Sequence, residues 1–379
     1  MADEPLTDGI VSILGAYERE HHGRYVVTGL TARGGFSEVY RAEDRFLRMS
    51  VAIKMSTSGF APDKADATQA NDTASIRVGS RGPHAGSLYD YPTQPWPPAM
   101  GYKEPRSEAV SRTVVSPESW PGSGAQPFRS EARMLLAASH PYLVEALHYF
   151  ELESRAFLVL KYVNGFSLGH WLSLVESSDW NLPDVIRVME VVEPLLSVLD
   201  FLHQEFVYHC DVKPENVLLD SDRKQPVLID LGNACTPEHR PWAVTPGYSP
   251  PELYSFGPDA SEVGPWTDLY MLSAMLYRMI ARTFRPPISA TERLSALSAG
   301  EPDPLVPVRD AARPGFPESV LTAVEVGLQL DPQRRPRSVE EYLDLLKRRP
   351  LSLEKYYFAL RGPYWRPRAS AHFKPESSG

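Results

Sequence analysis

The stretch His209-Cys210-Asp211-Val212-Lys213-Pro214-Glu215-Asn216 sits between a helix-patterned segment, Val185–Glu205, and a short apolar run, Val217–Leu219. An Asp precedes an Asn by five residues with a Lys between them, so one short loop carries three side chains able to bind ions or polarise a hydroxyl. A second apolar run, Val227–Ile229, leads directly into Asp230-Leu231-Gly232, which adds a carboxylate at the end of a strand. The two runs read as a small hairpin.

Upstream, residues 25–57 alternate apolar and polar positions and are rich in β-branched and aromatic residues. They predict three antiparallel strands, at Arg24–Thr28, Glu38–Ala42 and Met49–Lys54, with Gly34-Gly35 at the first turn. Ile10–Tyr17 reads as one short amphipathic helix. Residues 58–127 are rich in Pro, Gly, Ser and Asp and poor in Leu, Ile and Val. Such a segment buries too little apolar area to offset its ordering entropy, so it is expected to be a mostly disordered insertion. Beyond it, a helix is expected at Ser130–Ser139, closed by His140-Pro141, then strands at Val144–Leu152 and Ala156–Val163. Gly165 reads as a break. Helices follow at Leu168–Val175, Val185–Glu205, Asp268–Arg282, Glu318–Leu328 and Val339–Lys347.

Chain-wide properties narrow the class. The chain has 379 residues, 42% of them hydrophobic, enough for a large core. A formal net charge of -9 argues against a nucleic-acid coat or a protein of anionic membranes. The two cysteines, Cys210 and Cys235, do not make a disulfide scaffold. Met1-Ala-Asp-Glu-Pro5 has no apolar h-region and no apolar stretch reaches membrane-spanning length, so a cytoplasmic protein without stable membrane insertion is expected. From Lys347 onward, Lys and Arg are opposed only by Glu354 and Glu376, a tail that is either a solvated end or a docking element.

Taken together, these segments resemble the Ser/Thr protein kinases, over residues 25–57 and 128–347. The resemblance implies an α+β, bilobal fold: an antiparallel-sheet N-lobe with one main helix and a mainly helical C-lobe. The chain then divides into an extension (1–24), an N-lobe (25–163) interrupted by the insertion (58–127), a C-lobe (164–347) and a basic tail (348–379). Phosphoryl transfer needs phosphates and metal ions held, charge neutralised and an acceptor hydroxyl aligned. The resemblance assigns Asp211 as the base that orients the acceptor, Lys213 as its charge-neutralising partner, and Asn216 and Asp230 as ligands of Mg²⁺ or Mn²⁺. Lys54 in Val51-Ala52-Ile53-Lys54 would hold ATP phosphates, paired with Glu131. Gly34, Gly35, Val39, Ala52 and Leu218 would line the nucleotide site. Thr245-Pro246-Gly247-Tyr248-Ser249-Pro250-Pro251-Glu252 resembles the substrate end of the activation segment. Asp268 would bond back to the catalytic loop and Arg335 would pair with Glu252. Lys213 and Thr245 point to the Ser/Thr branch, and the short activation segment to a bacterial type. Protein substrates are implied as partners.

The sequence departs from the family twice. Where the family has Gly-x-Gly-x-x-Gly over the phosphates, this chain has Ala32, Gly34 and Ser37, so only the middle glycine remains. Three positions that in many kinases grip an activation-loop phosphate are Cys210, Cys235 and Pro127, none of them basic. A phosphate there would lack a charged partner, so activity independent of activation-loop phosphorylation is expected. The thiols admit a redox latch or simple packing. A pseudokinase scaffold and a small-molecule kinase are the rival readings: the glycine-poor loop and Cys210 favour the first, the intact polar set opposes it, and the peptide platform opposes the second. Ser80 between Arg77 and Arg81, and Ser370 after Arg366 and Arg368, mark the insertion and tail as possible regulatory elements.

Overall fold

The computed structural model describes residues 24–33, 37–56, 113–114, 126–152, 155–177, 183–236, 241, 243–254 and 262–347. Three strands come first, β1 (Tyr25–Arg33), β2 (Ser37–Asp44) and β3 (Met49–Ser56), joined antiparallel. A two-residue strand β4 (Thr113–Val114) precedes helix α1 (Gln126–Ala137). Strands β5 (Ala146–Leu152) and β6 (Arg155–Lys161) complete a five-stranded sheet in the order β1-β2-β3-β6-β5.

Strand alternation gives this sheet two distinct faces. Tyr40, Ala42, Val51, Ile53, Met55, Phe157 and Val159 form one core on its far side. The alternate residues Leu158 and Leu160, with Ala52 against them, join the main core, which includes Phe128, Ala132 and Leu135 of α1. Lys54 is two residues from Ala52 and opposite Val39, so all three share the face turned toward α1.

Beyond the sheet the chain forms β7 (Gly165–Ser167), α2 (Leu168–Ser177), α3 (Val185–Gln204), the hairpin β8 (Val217–Asp220) and β9 (Gln225–Leu228), and the short β10 (Ala243–Val244). Helices α4 (Pro265–Ile280), α5 (Ala290–Ser298), α6 (Val308–Ala311), α7 (Glu318–Gly327) and α8 (Val339–Lys347) follow. The α4 helix is buried on nearly every side, from Thr267 through Ile280. A helix apolar all round is the centre of its lobe, and Asp268 of α4 accepts from the backbone of His209 and Cys210.

Three differences from the sequence expectation have local causes. Gly165 lies within a strand: β7 pairs with β8, and a Cβ at Gly165 would stand 1.9 Å from the Leu219 carbonyl oxygen. Only glycine permits that approach. Helices α5 and α6 were not expected, although Ser289 and Glu292 form a reciprocal capping box at the start of α5. Within the segment expected to be mostly disordered, Thr113 and Val114 pair antiparallel with Val244 and Ala243. The expected helix at Ile10–Tyr17 and the turn residues Gly34 and Gly35 lie outside the described residues.

Candidate active site

Two polar clusters meet between the sheet and the helical lobe. In the first, Lys54 Nζ donates to Glu131 Oε1 at 2.6 Å and Oε2 at 2.8 Å, and to Asp230 Oδ1 at 2.8 Å. Strand β3 delivers the lysine, α1 the glutamate, and the turn after β9 the aspartate. Asp230 adopts φ 68, in the left-handed region, and its Oδ1 accepts from Gly232 N at 3.1 Å. A Cβ on Gly232 would lie 3.2 Å from Glu131 Oε2, so the glycine lets α1 close against this turn. Burial pulls the Lys54 ammonium down, but Asp230 and Glu131 outweigh it and hold its pKa above the usual lysine range. Burial pushes the Glu131 carboxyl up to about 7, Lys54 opposing and Asp230 adding. Two carboxylates share one ammonium, which leaves excess negative charge for a cation to offset.

The second cluster surrounds Asp211. Lys213 Nζ donates to both carboxylate oxygens at 2.8 Å. Thr245 Oγ1 donates to Oδ1 at 2.9 Å. Asn216 Nδ2 donates to Oδ2 and to the Asp211 carbonyl, each at 2.8 Å. All four residues are buried. Asn216 commits its nitrogen to Asp211, which leaves its amide oxygen as a ligand for a cation.

Asp268, fully buried on α4, holds the loop from beneath. Its carboxylate accepts from His209 N at 2.9 Å and Cys210 N at 2.8 Å and lies 2.8 Å from His203 Nε2. Cys210 sits at φ 57, a left-handed conformation held by that bond. Glu252 and Arg335, both without side-chain exposure, pair at 2.7 and 3.1 Å. Of the pairs named from the sequence, the structure brings together Lys54 with Glu131, Asp268 with the backbone of His209 and Cys210, and Arg335 with Glu252.

Asn233 was missed by the sequence reading. Its Nδ2 donates to the Cys210 carbonyl at 3.0 Å and the Ala243 carbonyl at 2.9 Å, and its Oδ1 accepts from Ala243 N at 3.1 Å. It thereby ties the loop of Asp211 to the strand that leads into Thr245. Its place three residues after Asp230 was the available clue. Cys210 and Cys235 are free, fully buried thiols. Burial, reinforced by Cys235, pushes the Cys210 thiol up, and a protonated thiol is a poor nucleophile. Val39, Ala52 and Leu218 are half-buried apolar residues, the first two on the sheet face that carries Lys54 and the third on β8.

Residues 104–344 match the family described as the protein kinase domain. The chain belongs to the protein kinase family. The matched range starts after β3, which pairs with β6 inside that range and whose Lys54 bonds Glu131. Among its relatives, the serine/threonine-protein kinase pkn2 of Myxococcus xanthus is 29% identical over 270 residues, 67% of this chain and 30% of that protein. The serine/threonine-protein kinase PknH of Mycobacterium tuberculosis is 25% identical over 319 residues, 83% of this chain and 40% of that protein. The chain thus spans less than half the length of the curated relatives it matches. The solved structure "PpkA-294 apo form" superposes with a TM-score of 0.58 at 23% identity, covering 86% of this chain and 96% of that one. The Mycobacterium tuberculosis PknI kinase domain gives 0.53 at 19%, covering 85% and 95%. Both likenesses show the bilobal kinase fold. Among the described residues no helix is long and apolar enough to cross a membrane.

Proposed function

We propose that the chain is an ATP-dependent protein kinase that phosphorylates Ser and Thr hydroxyls of protein substrates without requiring a phosphorylated activation loop. The observation that carries this is Asp211, held by Lys213, Asn216 and Thr245, beside the turn of Asp230, which Lys54 bridges to Glu131: Ile229 N, next to Asp230, donates to the Asn216 carbonyl at 2.9 Å.

The donor set suits a metal–nucleotide rather than a metal alone. Among the described residues no cluster of three His, Cys, Asp or Glu side chains could hold an ion by itself. One carboxylate and one amide oxygen, from Asp230 and Asn216, are what Mg²⁺ needs when phosphate oxygens and water fill the remaining positions. ATP with Mg²⁺ or Mn²⁺ supplies the transferable γ-phosphoryl group. Lys54 fixes phosphate oxygens and is itself fixed by Glu131. Val39, Ala52 and Leu218 offer apolar contact to the base. Asp211 orients the acceptor hydroxyl and takes its proton, while Lys213 offsets charge at the transferred group.

Independence from activation-loop phosphate is supported by the absence of cations at Cys210, Cys235 and Pro127. Thr245 and Ser249 are 1% exposed and bonded to one another, Thr245 N to Ser249 Oγ at 2.8 Å, so neither is presented for modification. The pairing of Thr113 with Val244, next to Thr245, supports a regulatory role for the insertion. Deleting residues 60–114 should then change the rate or the substrate range, and unchanged values for both would remove that role.

The deciding experiment is incubation with labelled ATP and Mg²⁺ or Mn²⁺, comparing wild type with Asp211→Asn and Lys54→Met. Both variants should lose incorporation. Incorporation that survives Asp211→Asn sinks the mechanism, and nucleotide binding with no incorporation in any protein favours a scaffold.

A further inference from the structure

Beside Asp211 lies a charge pair that the chemistry above does not use. Glu215 occupies the tight turn Pro214–Asn216, and its Oε1 accepts from Arg278 Nη1 at 3.0 Å. The same nitrogen lies 3.0 Å from the Tyr248 hydroxyl, and Arg278 Nε donates to the Phe284 carbonyl at 2.9 Å. Gly169 backs the pair, since a Cβ there would lie 2.7 Å from Glu215 Oε1. The second oxygen, Glu215 Oε2, is buried and has no hydrogen-bond partner among the described residues. The side chains of Arg278 and Glu215 are 15% and 31% exposed, so the pair borders solvent.

The position bears on substrate. Lys213 and Thr245 both touch Asp211. Glu215 follows Lys213 by two residues and Tyr248 follows Thr245 by three. Three residues of extended chain span about 10 Å. Side chains within about three residues of an acceptor held at Asp211 therefore come within reach of this pair. A lone carboxylate here would attract Lys or Arg on the peptide. A guanidinium bonded to it cancels that field.

We infer that Arg278 sets the charge preference of the acceptor-peptide site: by neutralising Glu215 it makes the enzyme indifferent to basic residues beside the phosphorylated Ser or Thr. The inference rests on the kinase reading.

The test uses the full chain and Ser-centred peptides carrying Lys, Gln or Glu at each of the three positions on either side. Binding by competition anisotropy and incorporation of label are both measured. Wild type should bind Lys and Gln peptides within about twofold of each other. Arg278→Gln exposes the Glu215 charge and should favour Lys over Glu peptides by about fivefold or more. Glu215→Gln exposes the Arg278 charge and should reverse that order, while Arg278→Lys should keep the wild-type order. A folding defect weakens all peptides alike and cannot give preferences of opposite sign. A strong Lys preference in wild type, an unchanged charge order in both variants, or a uniform loss in both overturns the proposal. Binding is read without turnover, so incorporation no higher than in Asp211→Asn removes the kinase reading while the binding order still decides the role of Arg278. A wild type that binds none of the peptides overturns both.

Discussion

The Thr245 hydroxyl donates to Asp211 Oδ1 at 2.9 Å, joining the loop of Asp211 to a residue 34 positions further along the chain. Lys213 Nζ reaches both, at 2.8 Å to the carboxylate and 3.2 Å to the hydroxyl. The three side chains fix one another with no solvent between them, so the orientation of the Asp211 carboxylate depends on Thr245. Thr245→Ala should lower kcat about tenfold or more and leave the KM for ATP nearly unchanged. Thr245→Glu should be worse, because a second carboxylate would stand against Asp211. Steady-state kinetics of the two variants check this; a Thr245→Glu enzyme faster than Thr245→Ala contradicts it.

Phosphatase treatment should leave the rate unchanged. A phosphoryl group carries about -1.5 to -2 charge and needs cationic partners. The thiols of Cys210 and Cys235 stand at two of the positions where many kinases supply them. Thr236 is the one half-buried hydroxyl among Thr236, Thr245 and Ser249. Thr236→Ala should therefore keep its rate within about twofold. Mass mapping with matched rate assays decides: an activity that tracks a mapped phosphate on this segment refutes the expectation.

These contacts also show which parts of the site a sequence carries. Asp211, Lys213 and Asn216 stand within six residues, and Asp230-Leu231-Gly232 ends an apolar run, so local spacing exposes them. The three N-lobe strands are legible because alternation marks a half-buried sheet. Lys54 and Glu131 are 77 positions apart, across the insertion, and only the family resemblance couples them. Asn233 and Arg278 have no local signature at all. Their roles arise from contacts 23 and 63 positions away, to the Cys210 carbonyl and to Glu215. Helix α5 was overlooked for a different reason. Its capping box is visible at Ser289 and Glu292, but Leu294 and Leu297 face solvent, so its apolar periodicity points to no core.

The Glu131 carboxyl near 7 has two consequences of opposite sign. Between about 4.5 and about 7 the folded chain holds this proton more tightly than the unfolded chain, so its contribution to folding stability falls as pH rises through that window. The Lys54–Glu131 ion pair needs the carboxylate, so kcat/KM for ATP should rise through pH about 7. Glu131→Gln should be slower at every pH and lack that limb. A pH–rate profile in which the variant keeps the limb assigns it to another group.

Cys210 and Cys235 should act by filling space. Both thiols are fully buried, and its surroundings hold the Cys210 thiol protonated. Cys210→Ala and Cys235→Ala should each keep most of the activity, and wild type should respond equally with and without reductant. Restoring a basic residue should fail: Cys210→Arg would place a cation where the thiol has no exposure, at a cost of several kcal/mol. Thermal melts of the variants, with non-reducing mass mapping of wild type, test both statements. A Cys210–Cys235 disulfide that accompanies loss of activity would restore the redox latch.

The Arg335–Glu252 pair lies where neither charge meets water. Arg335 also donates to the Gln329 carbonyl at 2.6 Å and the Leu330 carbonyl at 2.9 Å and lies over the Tyr270 ring. Glu252 also accepts from Thr267 Oγ1 at 2.9 Å. Removing one partner strands the other as an uncompensated buried charge, which typically costs about 3–5 kcal/mol. Arg335→Met and Glu252→Gln should each destabilise the chain by about that amount, whereas the double variant should lose much less than the sum. Urea denaturation of the four proteins measures the coupling. Additive losses would mean that the Arg335 carbonyl bonds and the Tyr270 contact, and not its charge on Glu252, carry its contribution to stability.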